Sequence, residues 1–341
     1  MKRGRVVLLA LLWLSGLQAS AQEVLDLFKR VNPAVVVLNT IASGPAAGGG
    51  QVSLQGLGSG VLIDSTHVVT AAHVVQTADV VEVEFITGEK IYANVVASNP
   101  MSDLSLLELE SEPVDVRPVE LGDSDDEEVG TEVFVVGAPM GLSHSLTVGH
   151  ISARRGSEAS SDTLASDVEL FQTDAAINSG NSGGPMFNMD GEVIGIVSYI
   201  LSQSGGFEGL GFVITSNTAR RVLLENPSFW SGLTGVLIAG DLARLLNIPV
   251  PAGFLVQNVA QFSPAERVGL RPSTIPVEFA GRPILLGGDI LLAVDGITFS
   301  EADGRERILE RFNTLEIGDS VRIDLLRGGA RESVVYYRVR E

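Results

Sequence analysis

The hexapeptide Gly180-Asn181-Ser182-Gly183-Gly184-Pro185 sets one serine inside a stretch that must turn tightly. Glycine tolerates backbone angles that other residues avoid, so successive amides can converge beside the serine oxygen. Donors at Gly180 and Ser182, with Asn181 between them, would stabilise the oxyanion of a tetrahedral intermediate. Taken alone, Gly-x-Ser-Gly is equally an ordinary turn. Two upstream segments change that reading. Thr70-Ala71-Ala72-His73 follows the apolar run Gly60-Val61-Leu62-Ile63 and the strand-like His67-Val68-Val69. Asp103, in Ser102-Asp103-Leu104-Ser105-Leu106-Leu107, lies between histidine and serine. His, Asp, Ser is one of the chain orders in which the acyl-transfer triad occurs.

Each residue has competitors. A serine hydroxyl is a weak nucleophile and needs an adjacent base. Ser179, Ser198 and Ser204 lie in the same region, but only Ser182 combines a preceding glycine with a Gly-Gly-Pro turn. The four histidines are His67, His73, His144 and His150. His67 falls in a turn, and His144 and His150 flank a loop, whereas His73 follows an apolar strand at the start of an expected helical turn. Asp103 would accept the second His73 N–H and choose its tautomer. On residue type alone Asp64, Asp79, Asp123 and Asp174 compete with it.

The elements that must position these groups are mostly short strands. β-branched runs recur at Val61–Ile63, Val80–Phe85, Ile91–Val96, Leu104–Leu109, Val133–Val136, Val193–Val197 and Gly211–Ile214, with turn residues between them. That is the pattern of an all-β sandwich or barrel. A short helix is expected over Glu23–Arg30 and a closing helix over Thr218–Leu224. Ala42–Gly50 reads as a Gly/Ala-rich loop with little ability to order itself. From about Phe229 a second unit begins, with a strand at Gly235–Ile238, a helix at Gly240–Leu246 and another through Val268-Gly269-Leu270. Arg271–Leu286 reads as an insertion able to form a hairpin from Thr274–Phe279 and Pro283–Leu286.

Composition narrows the function classes. Asp and Glu number 42 against 23 Lys and Arg, a net charge of −19, which argues against nucleic acid as a partner. Cysteine is absent, so no thiolate nucleophile and no Cys-ligated metal is expected. No Gly-x-x-x-x-Gly-Lys phosphate loop occurs, so no nucleotide-driven unfolding is implied. Lys2, Arg3 and Arg5, the apolar Val6–Leu17 and the small-x-small Ala19-Ser20-Ala21 read as a secretory signal peptide over residues 1–21. An uncleaved anchor is the competing reading, although the run is short against the roughly 20 residues of a bilayer span.

The His, Asp and Ser segments, with Gln172-Thr173-Asp174-Ala175-Ala176-Ile177-Asn178, resemble the HtrA family of serine proteases. The resemblance runs from about Glu23 to Glu341 and is weaker in the loops. It implies an all-β-dominated chymotrypsin-like double β-barrel over 22–226 and an α+β PDZ domain over 230–341. It also implies a periplasmic endopeptidase with catalytic His73, Asp103 and Ser182, an oxyanion hole at Gly180, Asn181 and Ser182, and no cofactor or metal. Protein and peptide substrates follow, with C-terminal peptides at the PDZ domain and a homotrimer built around Leu27 and Phe28. The family's oxyanion loop is switchable, which implies low resting activity. Its pocket floor lies six positions before the nucleophile, here Ala176 beside Ile177, with Ile200 at the mouth. None is charged, so small aliphatic residues are expected before the scissile bond. Ile177 and Ile200 are alternatively plain core residues. In the PDZ carboxylate loop, Thr234 stands where an apolar residue is usual, before Gly235 and Val236. Arg154 and Arg155 are candidates for receiving a signal from the PDZ side, or are solvated surface arginines. A peptide-binding scaffold with a silent protease fold is the alternative function.

Overall fold

The computed structural model describes residues 22–45, 51–138, 144–156, 168–202, 206–279 and 281–339. The segment read as a signal peptide lies outside them. So do Ser204, residues 139–143 and nearly all of the polar loop that ends at Asp167.

Two closed six-stranded barrels carry the N-terminal two thirds of the chain. The first contains β1 (Val35–Pro45), β2 (Gln51–Leu62), β3 (His67–Thr70), β4 (Val80–Glu84), β5 (Lys90–Asn99) and β6 (Leu104–Leu109), closed in the order β1-β2-β3-β6-β5-β4. The second contains β7 (Glu132–Gly137), β8 (Ser145–Arg155), β9 (Leu170–Thr173), β10 (Pro185–Phe187), β11 (Val193–Ile200) and β12 (Gly211–Thr215). Its order is β10-β11-β12-β9-β8-β7. The strand pattern therefore closes into barrels rather than a sandwich, and the fold is that of the chymotrypsin-like double barrel. Closure removes the unpaired edges that an open sheet would expose. Alternation is plain in β5, where Ile91, Ala93 and Val95 are buried and Tyr92, Asn94 and Val96 are exposed. Where the barrels meet, Phe134 and Phe187 stack at 5.0 Å inside a core shared with Leu38, Leu62 and Leu107.

Several expectations need correction. Ala42–Pro45 is not loop but the end of β1, paired residue for residue with Gln51–Leu54. Strand β8 has no clear sequence signal, because Gly149, His150 and two arginines break its alternation. The short helix expected over Glu23–Arg30 does form, over residues 22–31, and Leu27 and Val31 are buried in the core that the two barrels share. The closing helix runs from Ser216 to Glu225, with Thr215 accepting from the Thr218 amide at its start.

The C-terminal unit is a sheet in the order β13 (Leu233–Ala239), β14 (Ala252–Val259), β17 (Ile290–Val294), β19 (Ser320–Arg327), β20 (Ala330–Tyr337), with β18 (Ile297–Thr298) beside β17. The helix Gly304–Asn313 contributes Ile308 to its core. The inserted hairpin forms, from β15 (Ile275–Phe279) and β16 (Arg282–Leu286). The two units are joined by polar contacts around Ser228–Leu233. Ser98 N donates to Ser228 O at 3.1 Å and Trp230 Nε1 to Gln76 O at 3.1 Å. Among the described residues no helix is long and apolar enough to cross a membrane.

Candidate active site

His73 sits in a four-residue helix, Ala72–Val75, whose N-cap residue Ala71 has no capping side chain. Asp103 supplies the missing acceptors from thirty residues away. Its Oδ1 accepts from the His73 amide at 3.0 Å, and its carbonyl accepts from Ala72 N at 3.1 Å. A carboxylate at a helix N-terminus also matches the positive end of the helix dipole. The His73 Nδ1 lies 3.0 Å from both carboxylate oxygens, so it is the protonated nitrogen and Nε2 is free to accept. The side chain of Asp103 is only 15% exposed while that of His73 is half exposed.

The turn before Asp103 explains its placement. Asn99 Oδ1 accepts from Met101 N at 3.0 Å and Ser102 N at 3.1 Å, an Asx turn. Asp103 then takes φ +54°, a left-handed conformation that aspartate tolerates better than most residues.

Ser198, a competing serine by residue type, has a different place in the structure: its Oγ donates to Asp103 Oδ2. The β11–β12 register slips between Val197 and Tyr199, and this bulge aims Ser198 across to the first barrel. Periodicity could not have shown this, because a bulge is what breaks periodicity. The competing aspartates and histidines are engaged away from Ser182. Asp64 pairs with His67, the His144 ring with Asn32 at 2.7 Å, and Asp174 accepts from His150 N. Asp79 accepts from Ser43 Oγ at 2.7 Å and Asp123 from Asn217 Nδ2 at 2.7 Å.

The Ser182 loop is brought to His73 by β2. Ser59, fully buried, donates its amide to Ser182 O at 2.8 Å and its hydroxyl to Gly180 O at 2.7 Å. Its own carbonyl accepts from Thr70 Oγ1 at 2.7 Å. One residue thereby ties the serine loop to the Thr70–His73 segment. Sequence reasoning missed Ser59; its only signal was the pair of flanking glycines, Gly58 and Gly60. Gly183 (φ +81°) packs so closely that a Cβ would fall 2.1 Å from Thr70 Oγ1 and 2.8 Å from Ala71 N. Gly180 has φ +102°. Among the described residues the amides of Gly180 and Ser182 donate to no acceptor. Asn181 is buried between them, its carbonyl accepting from Gly184 N at 2.8 Å.

Ile177 is 3% exposed in the second barrel's core, and Ile200 packs half-buried on the same cluster. The two converge at Gly211, which pairs with Ile200 and whose Cβ would meet Ile177 Cδ1 at 2.6 Å. Ile177 is thus a core residue in its own right, and Ile200 is the more accessible of the two. Ala176 is half-buried, its carbonyl accepting from Thr147 Oγ1 at 3.0 Å. Phe207, missed from sequence, packs on the same cluster.

Thr234, Gly235 and Val236 are not in a loop. They lie in the edge strand β13, paired with β14, and Thr234 Oγ1 accepts from Asn258 Nδ2 at 3.1 Å. Arg154 is half-buried and held within the second barrel and its flanking loops. It makes bidentate contact with Glu169 and donates to the carbonyls of Ser124 and Glu127. Arg155 donates to Gln172 at 2.9 Å.

A trypsin-like peptidase domain model matches residues 58–196. A probable periplasmic serine endoprotease DegP-like of Pseudomonas fulva (strain 12-X) is 39% identical over 253 residues, covering 72% of this chain and 52% of that protein. The corresponding protein of Halomonas elongata is 36% identical, covering 85% and 58%. The solved HtrA-type protease AlgW with tripeptide matches 92% of this chain and 95% of that one, at 28% identity and a TM-score of 0.53. The chain belongs to the HtrA family of serine proteases. This HtrA chain spans about half the length of the curated relatives it matches.

Proposed function

We propose that this HtrA chain is an ATP-independent serine endopeptidase of the bacterial cell envelope that cleaves misfolded or regulatory proteins after small aliphatic residues. The observation that carries the reading is the His73–Asp103 pair, with Nδ1 3.0 Å from both carboxylate oxygens, beside a Ser182 loop tied in through Ser59. In the proposed reaction His73 Nε2 takes the Ser182 proton as Oγ attacks the scissile carbonyl. The amides of Gly180 and Ser182 receive the oxyanion, and His73 returns the proton to the leaving amine. Water then repeats the sequence on the acyl-enzyme. Asp103 holds the tautomer, and Ser198 holds Asp103. Residues 1–21 read as a periplasmic signal peptide, and the relatives' periplasmic names support that compartment. A labelled fluorophosphonate tests the enzyme reading directly. Labelling lost on Ser182→Ala supports it; an unlabelled wild type, with peptide present, supports the silent scaffold.

Acid should switch activity off. Burial disfavours the charged His73 ring, but the hydrogen bond and charge of Asp103 outweigh it, so its pKa lies above the ordinary histidine value. A base must be neutral, so kcat/KM is expected to fall as pH drops through a pKa above about 6.5. A rate independent of pH from 5 to 8 would count against histidine as the base.

We read residues 230–341 as a PDZ domain that governs the protease domain, residues 22–226. The supporting contact is Gln76, which is 3% exposed and three residues after His73. Its Nε2 donates to Leu233 O at 3.1 Å at the start of β13, its carbonyl accepts from Trp230 Nε1, and its Oε1 accepts from Ser98 Oγ. Pro100 and Met101, just before Asp103, line the cavity next to β13. A peptide with a free apolar C-terminus is expected to bind beside Gly235 and Val236 and raise activity, and its amide to bind worse. Gln76→Ala should keep peptide affinity within about threefold while losing most of the activation; full activation of that variant would remove Gln76 from the route. A homotrimer is likewise proposed. Leu25, 42% exposed, is an apolar group the N-terminal helix leaves uncovered.

Cleavage-site mapping on an unfolded protein tests specificity. Val or Ala is expected before the cut, since Arg or Lys would be desolvated there without a partner. Ile200→Ala should raise cleavage after larger side chains by roughly 10-fold per methylene accommodated. A dominant preference for Arg, Lys or Phe in the wild type would show that Ile200 does not line the pocket.

A further inference from the structure

A cavity of about 260 Å³ lies between the edge strand β13 and the helix Gly304–Asn313. Its walls are mostly apolar, with Leu233, Phe254, Ile308, Leu309 and Phe312 among them. Two groups do not fit an apolar wall. The Tyr336 hydroxyl is buried and has no hydrogen-bond partner among the described residues. Arg305, on the helix face it shares with Ile308, Leu309 and Phe312, lines the cavity half-buried. Among the described residues no carboxylate or carbonyl pairs with it, and burial alone pulls its pKa below the usual arginine value. The other arginines of the same helix differ: Arg307 pairs with Glu301 and Arg311 with Asp295. In a chain of net charge −19, an unpaired guanidinium in a cavity wall is a complement waiting for an anion.

The direction of the groove says which part of a ligand that anion belongs to. Phe229, just before β13, stacks on Phe312 at 5.0 Å and donates its amide to Asn313 Oδ1. Phe254, which abuts Gly235 and pairs with Leu237, stacks on Phe299, which precedes the helix. Strand and helix are therefore antiparallel, and β13 starts beside the helix C-terminus. Arg305 lies two helical turns from Phe312, roughly 10 Å along the axis. A ligand strand advances roughly 3.3 Å per residue. A peptide whose terminus is held at the β13 amides thus passes Arg305 with a residue upstream of its terminus.

We propose that this groove selects peptide C-termini that end in an apolar residue and carry Asp or Glu within the preceding few positions, paired with Arg305. This rests on the PDZ reading above. The test uses the full chain carrying Ser182→Ala, so that ligand is not cleaved, and fluorescent decapeptides read by anisotropy. One peptide ends in an apolar residue with Glu at the second and third positions from its end; the others carry Gln at both, Lys at both, or the same Glu sequence with an amidated terminus. The Gln peptide is expected to bind about tenfold more weakly than the Glu peptide, and Arg305→Gln to abolish that difference. Arg305→Glu should favour the Lys peptide. Equal affinity for the Glu and Gln peptides, with the amide still weaker, would overturn the acidic preference and leave the PDZ reading standing. Loss of the acid–amide difference in Arg305→Gln would show that Arg305 takes the terminus itself, which also overturns the proposal. No binding by any of the peptides would sink both. The wild-type comparison of Glu with Gln decides the matter even where an Arg305 variant fails to fold.

Discussion

Ser182→Ala protein is expected to lose about 10⁶-fold in kcat on a cleavable peptide while melting at the wild-type temperature. The fold should survive because the loop is held by main-chain and neighbouring groups. Ser59 N grips Ser182 O, Ser59 Oγ grips Gly180 O, and Gly183 N donates to Val197 O at 2.7 Å. The Ser182 hydroxyl takes no part in that lattice. His73→Ala should cost a similar factor, and the double variant little more than either single one, because nucleophile and base act as one unit. Initial rates on one peptide, with Tm for each protein, check this. Losses that multiplied would mean the two residues serve separate steps. Normal turnover by Ser182→Ala would remove the mechanism.

Gly183→Ala is expected to cost about 10²-fold or more in kcat, although it adds only one methyl and removes no catalytic group. The new Cβ would lie 2.1 Å from Thr70 Oγ1, 2.3 Å from Ser59 O and 2.8 Å from Ala71 N. Two of those are backbone atoms in the segments that aim Ser182 and His73, so relief of the clash must separate nucleophile from base. The left-handed φ adds about 1–2 kcal/mol for any residue with a Cβ. Burst-phase labelling and Tm together distinguish this from simple unfolding. A folded alanine variant with wild-type rates would mean the serine loop does not pack against Thr70 as described. Gly88, also at positive φ but with open space around it, is the control: alanine there should carry the same left-handed cost of about 1–2 kcal/mol in stability and leave activity unchanged.

What the sequence determined by itself was the chemistry's local parts. A serine between glycines, a histidine closing an apolar strand and the β-branched runs with turns between them are all short-range signals. Residue type and period-two alternation suffice to read them. They account for most strands of both barrels, for the candidates His73 and Ser182, and for the inserted hairpin; Asp103 stood apart from its competing aspartates only through the family resemblance. The tertiary structure decided everything that depends on contact between segments far apart in the chain. Ser198 had no sequence signal because its role arises from a bulge that points it across the interbarrel cleft at Asp103. Ser59 was signalled only by its flanking glycines, because its polar contacts are with Thr70, Ala138, Gly180 and Ser182. Arg154 looked free because Glu169 and the carbonyls that hold it are distant in sequence. Gln76 and Arg305 are ordinary surface residue types, and only the packed fold buries Gln76 and leaves Arg305 in a cavity wall where, among the described residues, no counter-charge meets it. Hydrogen-bond satisfaction and close packing are properties of the closed fold, and no local window of residues contains them.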